Sequence, residues 1–302
     1  MSECKEKKFR GGGQGENHRR DACTMAPSSK PFPPTLYYFL GLGSQGRRPC
    51  LPKPHYAGRE GGVGGGQGPQ VPDPPPTKHS KPLAVVMLSG GLDSCVAAAV
   101  ARRDFELALF HGNYGQRTVA RELGAFRSIA AFWGVKRILE ADLGFLGRLG
   151  GSSLTDTHLP VPVGEEEPPG IPPTYVPFRN SIFLAAAVAW AEVLGAQAVF
   201  IGANILDNPG YPDCRPEYFA AFNRLIELGT RPETRITIRT PLIHLDKAGI
   251  IRLGLDLGAP LELTWSCYQN DDAACGLCSS CRLRLKGFAE AGVTDPIEYQ
   301  KI

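Results

Sequence analysis

The opening of this sequence lacks the apolar core that a secretory signal needs: MSECKEKKFRGGG is charged and glycine-rich. The longest apolar run near the start, LYYFLGLG from Leu36, falls far short of the roughly 20 residues of a membrane span. A strong excess of one charge is missing too. Lys and Arg number 33 against 30 Asp and Glu, a formal net charge of +3, so a broadly basic nucleic-acid face is not indicated. No internal repeat is visible. With nine cysteines and no export signal, a reducing compartment is expected, and the chain reads as soluble and cytoplasmic, with no membrane and no nucleic-acid partner.

Residues 1–80 hold 14 Gly and 12 Pro, in tracts such as GGVGGGQGP and PDPPP, and show no sustained helical or strand period. Such a segment does not pack by itself. It reads either as a flexible leader or as upstream sequence translated from a start codon assigned too early. From Lys81 the texture changes to alternating strand and helix signals, as a parallel α/β sheet requires. LAVVMLS, ELALFHG, VKRILEA, QAVFIGAN and RITIRTPLI read as five strands of a doubly wound sheet. Helical patterns follow in DSCVAAAVARR, from Arg117 to Trp133, and in RNSIFLAAAVAWAEVLG, YFAAFNRLIELG and LDKAGIIRLGLDLG. The segment from Asp142 to Pro177 is rich in Gly and Pro and predicts little regular structure. Residues 81–245 are expected to form the nucleotide-binding α/β domain, and 246–302 a helical appendage.

In VVMLSGGLDSCVAAAV a buried strand runs through small residues straight into a helix. That junction points free backbone N–H groups and the positive end of a helix dipole at one spot, an anion site. Gly90 and Gly91 let a ligand approach the backbone, Ser89 and Ser94 carry hydroxyl groups, and Asp93 can cap the helix or hold a magnesium ion. The loop has no GxxxxGK string, hence no lysine for β and γ phosphates, and no GxGxxG dinucleotide fingerprint. A cradle of this kind suits the pyrophosphate end of ATP; the competing reading is an ordinary helix-capping turn.

Near the other end, Cys267, Cys275, Cys278 and Cys281 are spaced C-x7-C-x2-C-x2-C. Four thiolates this close suit one tetrahedral Zn²⁺ in a structural role, since sulfur fills every position and leaves none for water. An iron–sulfur cluster is the rival, although no Cys-Pro follows Cys281 as in ferredoxins. The other cysteines show no ligand spacing.

SGGLDS resembles the signature of the PP-loop ATP pyrophosphatase superfamily. Together with NYGQR (113–117), GGSSLT (150–155), YVPFRN (175–180), GYPDCRPE (210–217), TPLIHLDK, LTWSCY and the cysteine triplet, it resembles the 7-cyano-7-deazaguanine synthase family over about residues 83–296. Asn113 stands where that family often has Asp. The resemblance implies a PP-loop fold with a zinc-binding tail, and an ATP-dependent carbon–nitrogen ligase. Such an enzyme takes 7-carboxy-7-deazaguanine and ammonia to the nitrile by adenylation, amide formation and dehydration, for queuosine synthesis. The alternative is a PP-loop enzyme that modifies tRNA, of the thiolase or lysidine-synthetase type; it would want an RNA-binding domain that this chain does not display. Dimerisation is implied by the resemblance alone.

The residues expected at ATP and its Mg²⁺ are Ser89, Gly90, Gly91, Leu92, Asp93 and Ser94, with Leu88, Cys95, Val96, Ala97 and Ala98 contributing backbone at most. His111, Asn113 and Tyr114 are expected near the adenosine, with a packed strand-end histidine as the other reading of His111. Asp93 and Arg179 are the expected catalytic residues. Arg179 can pair bidentately with the substrate carboxylate, while Asp207, Asp213 and Arg215 can read a guanine-like edge or orient their loop. For Arg179 a plain helix start competes, and for Asp213 and Arg215 a capping turn. No general base for ammonia is identifiable.

Overall fold

LAVVM and AVFI are runs of small and β-branched apolar residues, and almost every side chain in both is buried. That is the pattern of a central strand covered on both faces. The computed structural model describes residues 81–163, 170–207 and 210–301, which lie within one compact unit, Val71–Ile302. The reading of residues 1–80 falls outside the described residues. Five strands form: β1 (Leu83–Met87), β2 (Glu106–Asn113), β3 (Ile138–Asp142), β4 (Ala198–Ile201) and β5 (Thr237–Arg239). Every pairing is parallel and the order is β3-β2-β1-β4-β5. The expected doubly wound, five-stranded parallel sheet is present.

The helices are α1 (Leu92–Arg102), α2 (Val119–Phe132), α3 (Phe145–Leu149), α4 (Arg179–Leu194), α5 (Pro216–Gly229), α6 (Lys247–Asp256) and α7 (Ser279–Ala291). They cover both faces of the sheet. On one, Val86, Leu109 and Phe200 pack with α1, α2, α6 and Phe288 of α7; on the other, Val85, Phe110 and Val199 pack with α4 and α5. β4 lies beside β1 although β2 and β3 intervene in sequence. The chain thus leaves β1 in opposite directions, and the crevice beyond the carboxyl ends of β1 and β4 is where such sheets bind ligands.

Beyond the end of β3, the described residues of the segment from Asp142 to Pro177 hold one regular element, α3. Much of the rest is pinned by Arg117, whose guanidinium donates to the carbonyls of Ser153 at 2.8 Å, Asp156 at 2.9 Å and Leu159 at 2.6 Å. Arg117 of NYGQR thereby satisfies a loop that no sheet or helix ladder would satisfy. No helix among the described residues is long and apolar enough to cross a membrane.

Candidate active site

The loop after β1 is braced by its own serines. Ser94 Oγ donates to the Gly91 carbonyl at 2.9 Å and accepts from the Ser89 amide at 3.1 Å, while the Gly91 amide donates to Ser89 Oγ at 3.2 Å. Gly91 is the N-cap of α1 and has no side-chain cap, so Asp93 does not cap the helix. The amides of Leu92, Asp93 and Ser94 in the first turn lack intrahelical acceptors by geometry, and they face the crevice side of the sheet. Gly90 is needed twice over. Its φ is +91°, and a Cβ there would lie 2.5 Å from the backbone oxygen of Glu122 on α2. Gly202 at the end of β4 meets the same limit, because a Cβ would come 2.7 Å from the Asp93 carbonyl carbon.

Two further contacts bring distant chain to this loop. The Trp265 amide donates to the Gly90 carbonyl at 2.9 Å. Lys247, the first residue of α6, places Nζ 2.6 and 2.8 Å from the two oxygens of Asp93 and 2.9 Å from Asp207 Oδ2. Asp246 caps α6 through the Gly249 amide at 2.7 Å, which fixes the helix start and hence the root of Lys247. The stem of Lys247 passes so close to Gly287 of α7 that a Cβ there would lie 2.2 Å from Lys247 Cγ. Burial alone would lower the Lys247 pKa, but the carboxylates of Asp93 and Asp207 outweigh it and hold the ammonium above its ordinary value. The loop lacks its own lysine, and the fold delivers one from across the chain.

A cavity of about 270 Å³ opens from this loop and is lined also by Tyr114, Glu122, Arg179, Asn180, Tyr211 and Lys247. Arg179 heads α4, and the residue before it, Phe178, is the only non-glycine among the described residues with positive φ, at +57°. That conformation is uncommon for a bulky side chain and turns the chain sharply into the helix. The Arg179 guanidinium carbon lies 5.4 Å from the centre of the Tyr114 ring, and Nη1 is 3.4 Å from the Tyr114 hydroxyl. Burial pushes the Tyr114 hydroxyl up to about 12, so it stays neutral as it accepts from Arg179.

The remaining expected residues fall in different places. Asp207 is in the Lys247 cluster, with Oδ2 accepting from Asn204 Nδ2 at 2.5 Å. Asp213 is buried behind the cavity wall, where Oδ2 accepts the Asn180 amide at 3.2 Å; it caps α4 from another loop, and burial raises its pKa. Arg215 is exposed at the N-cap of α5 and does not line the cavity. His111 is buried, with Nδ1 3.0 Å from the Leu88 carbonyl and Nε2 3.0 Å from Asn113 Oδ1, so both ring nitrogens are occupied by protein. Tyr114 lines the cavity but His111 and Asn113 do not. Cys95, Val96, Ala97 and Ala98 are wholly buried in the core.

The four cysteines of the tail converge, their sulfur atoms all within 4.8 Å of one another and all buried. Backbone amides of Gln269, Asn270 and Cys275 approach Cys267 Sγ at 3.4 Å, and that of Cys278 approaches Cys275 Sγ at 3.3 Å. Amide donors aimed at sulfur stabilise thiolate ligands. Four sulfurs so close cannot all ionise without a cation among them, and the donor set fits a tetrahedral metal ion. Cys267 sits between Trp265, Ser266 and Tyr268, all on the cavity wall. Ordering the cluster therefore orders one side of the cavity.

Residues 83–292 match the family model described as "Queuosine biosynthesis protein QueC". The chain belongs to this QueC family. Curated relatives named 7-cyano-7-deazaguanine synthase include one from Chlorobium chlorochromatii, 54% identical over 72% of this chain and 96% of its own. Another, from Acidobacterium capsulatum, is 57% identical over 72% and 96%, and a third, from Chlorobium luteolum, is 56% identical over the same shares. The QueC match begins at the first residue of β1 and ends just past α7, so the loop, Lys247 and the cysteines all lie inside it.

Within this QueC fold, sequence reasoning passed over Lys247 and Glu122. Lys247 reads as one polar position on an amphipathic helix, and Glu122 as a surface residue of another. The one available signal was the capping pattern Leu-Asp-Lys, which marks Lys247 as a helix start without showing what it meets.

Proposed function

We propose that this chain is an ATP-dependent carbon–nitrogen ligase that converts 7-carboxy-7-deazaguanine and ammonia to 7-cyano-7-deazaguanine in queuosine precursor synthesis. The observation that carries the reading is that one cavity joins the Ser89–Ser94 cradle to the Arg179 guanidinium. A carboxylate held by Arg179 would meet the phosphates of ATP lying on the first turn of α1. Adenylation is needed because a carboxylate cannot expel oxide, whereas an acyl adenylate can expel AMP. Pyrophosphate would leave towards the amides of Leu92, Asp93 and Ser94 and the ammonium of Lys247, donors already in place where negative charge develops. A second activation, of the amide oxygen, would complete dehydration to the nitrile.

Mg²⁺ is the expected companion of the phosphates, with Asp93 and Asp207 as the nearby carboxylates; binding there would require sharing them with Lys247. Zn²⁺ is our reading of the metal for the four sulfurs, where it would hold the cavity wall from Trp265 to Tyr268 in shape and take no part in the chemistry. Free thiols at every described cysteine suit a reducing compartment, the cytoplasm. Asp213 acts by fixing the start of α4 and so the direction of Arg179. Dimerisation is carried over from the family and is checked by sedimentation.

The test is the fate of ATP. Release of AMP and pyrophosphate that requires both the deazaguanine carboxylate and ammonium supports the proposal. Release of ADP, or nucleotide turnover indifferent to the carboxylate, refutes it.

A further inference from the structure

Among the described residues, two carboxylates line the cavity, Asp93 and Glu122, and they are in opposite situations. Asp93 is paired with Lys247 at 2.6 Å, an ammonium that it shares with Asp207. Glu122 forms no ion pair among the described residues. Its Oε1 accepts from the Thr118 hydroxyl at 2.8 Å and its Oε2 from Gln116 Nε2 at 3.0 Å. Gln116 is itself oriented by the Tyr114 amide, which donates to Oε1 at 2.9 Å. Both carboxylate oxygens are thus held by neutral donors, and each keeps lone pairs for another hydrogen. The position is rigid, because the backbone oxygen of Glu122 packs against Gly90 so closely that no Cβ would fit between them. The carboxylate is fixed relative to the phosphate cradle, and Arg179 is near enough to act on its charge.

We infer that Glu122 binds ammonium in this cavity and is the general base that releases ammonia for attack on the acyl adenylate. The inference rests on the ligase reading above. An ammonium ion offers four N–H donors and needs a fixed anionic acceptor that no other cation occupies. Among the described residues of the cavity wall, Glu122 alone meets that description. In the step itself, Glu122 takes one proton from ammonium and so frees the nitrogen lone pair. That pair forms the C–N bond at the activated carbon while the C–O bond to AMP breaks, its electrons leaving on the phosphate. The second surplus N–H proton passes from the adduct to solvent, so acyl adenylate and ammonium give amide, AMP and two protons.

The groups facing Glu122 are Thr118 on its own helix, Gln116 and Tyr114 after β2, Arg179 on α4 and Asp271 before the cysteine triplet. Burial raises its pKa, and the hydrogen bonds and Arg179 oppose that rise. The raised value brings the base nearer to neutrality, where proton transfer from ammonium is more efficient.

The experiment compares Glu122→Gln with the unaltered protein in two assays: carboxylate-dependent exchange of pyrophosphate into ATP, and ammonium-dependent amide formation. General-base catalysis is worth about 10²-fold or more, so the Gln variant should lose about 10²-fold in amide formation while exchange stays within about threefold. Hydroxylamine, largely neutral near physiological pH, needs no such base, and the Gln variant should form hydroxamate at a near-normal rate. Glu122→Asp, which keeps the carboxylate, should recover part of the ammonium rate. Amide formation at a normal rate in the Gln variant overturns the inference, as does parallel loss of exchange and hydroxamate formation. Absence of exchange in the unaltered protein refutes the ligase reading instead, so the two failures are distinguishable.

Discussion

Replacing Lys247 by Met should destabilise the fold far more than loss of a surface ion pair. Nζ lies 2.6 Å from Asp93 and 2.9 Å from Asp207, and the side chains of Lys247 and Asp207 are 11% and 6% exposed. At about 2.8 Å and an effective dielectric of about 20, each contact is worth roughly 6 kcal/mol of gross attraction. Desolvation of the three groups offsets most of it, several kcal/mol per ion. The variant, however, loses the attraction while Asp207 remains buried, and the expected cost is about 3–5 kcal/mol. Met preserves the stem that fills the space against Gly287, so packing loss adds little. Equilibrium denaturation in urea reads the difference. Adding Asp207→Asn should make the double variant less unstable than the sum of the two single changes, by about 1–3 kcal/mol of coupling. A loss below about 1 kcal/mol for Lys247→Met, the range of solvated pairs, would refute the picture of a buried, mutually dependent cluster.

Gly90→Ala should abolish ATP-dependent turnover and cost about 1–3 kcal/mol, since the new Cβ requires strained backbone and collides with the Glu122 carbonyl; ATP titration followed by intrinsic fluorescence, alongside urea melts, checks both. His111 is held below its ordinary pKa by burial. Its contribution to stability is therefore present above about pH 6.5, the unfolded value, and is lost as pH falls towards and through the folded value. His111→Gln should flatten the acid limb of the stability curve below about pH 6.5, and an unchanged slope would show that other groups set it. Metal analysis should find one Zn²⁺ per chain, and Cys281→Ser or strong chelation should lower the melting temperature and weaken ATP binding together, because Trp265 holds the Gly90 carbonyl. Loss of metal with unaltered ATP affinity would separate the cluster from the cradle.

The parts of this molecule that were legible in sequence are local ones. Strand, loop and helix from Leu83 to Arg102 follow from a buried apolar run, two glycines and an alanine-rich helix, and the cysteine spacing needs nothing beyond the chain from 267 to 281. Contacts made by pairing across the sheet were not legible. Lys247 meets Asp93 across 154 residues, and only the placement of β4 beside β1, with α6 packed on the α1 face, brings them together. Asp213 carries a signal as a polar residue in a turn, but its role as a cap for α4 depends on where a separate helix begins. Arg215, two residues on, looks equivalent in sequence and ends in solvent because the 3-10 turn Pro212–Cys214 directs the chain outward into α5. The helix α3 was missed for a different reason: Gly144, Gly147 and Gly150 obscure its period.

The central claim is that this cavity activates a carboxylate with ATP and replaces both of its oxygens with one nitrogen. The most direct measurement is mass spectrometry of the products formed from ATP, isotopically labelled ammonium and 7-carboxy-7-deazaguanine. The account predicts a 7-cyano product that carries the label in its nitrile and retains neither carboxylate oxygen. Unchanged carboxylate under these conditions, in protein that is folded and metal-loaded, would contradict it.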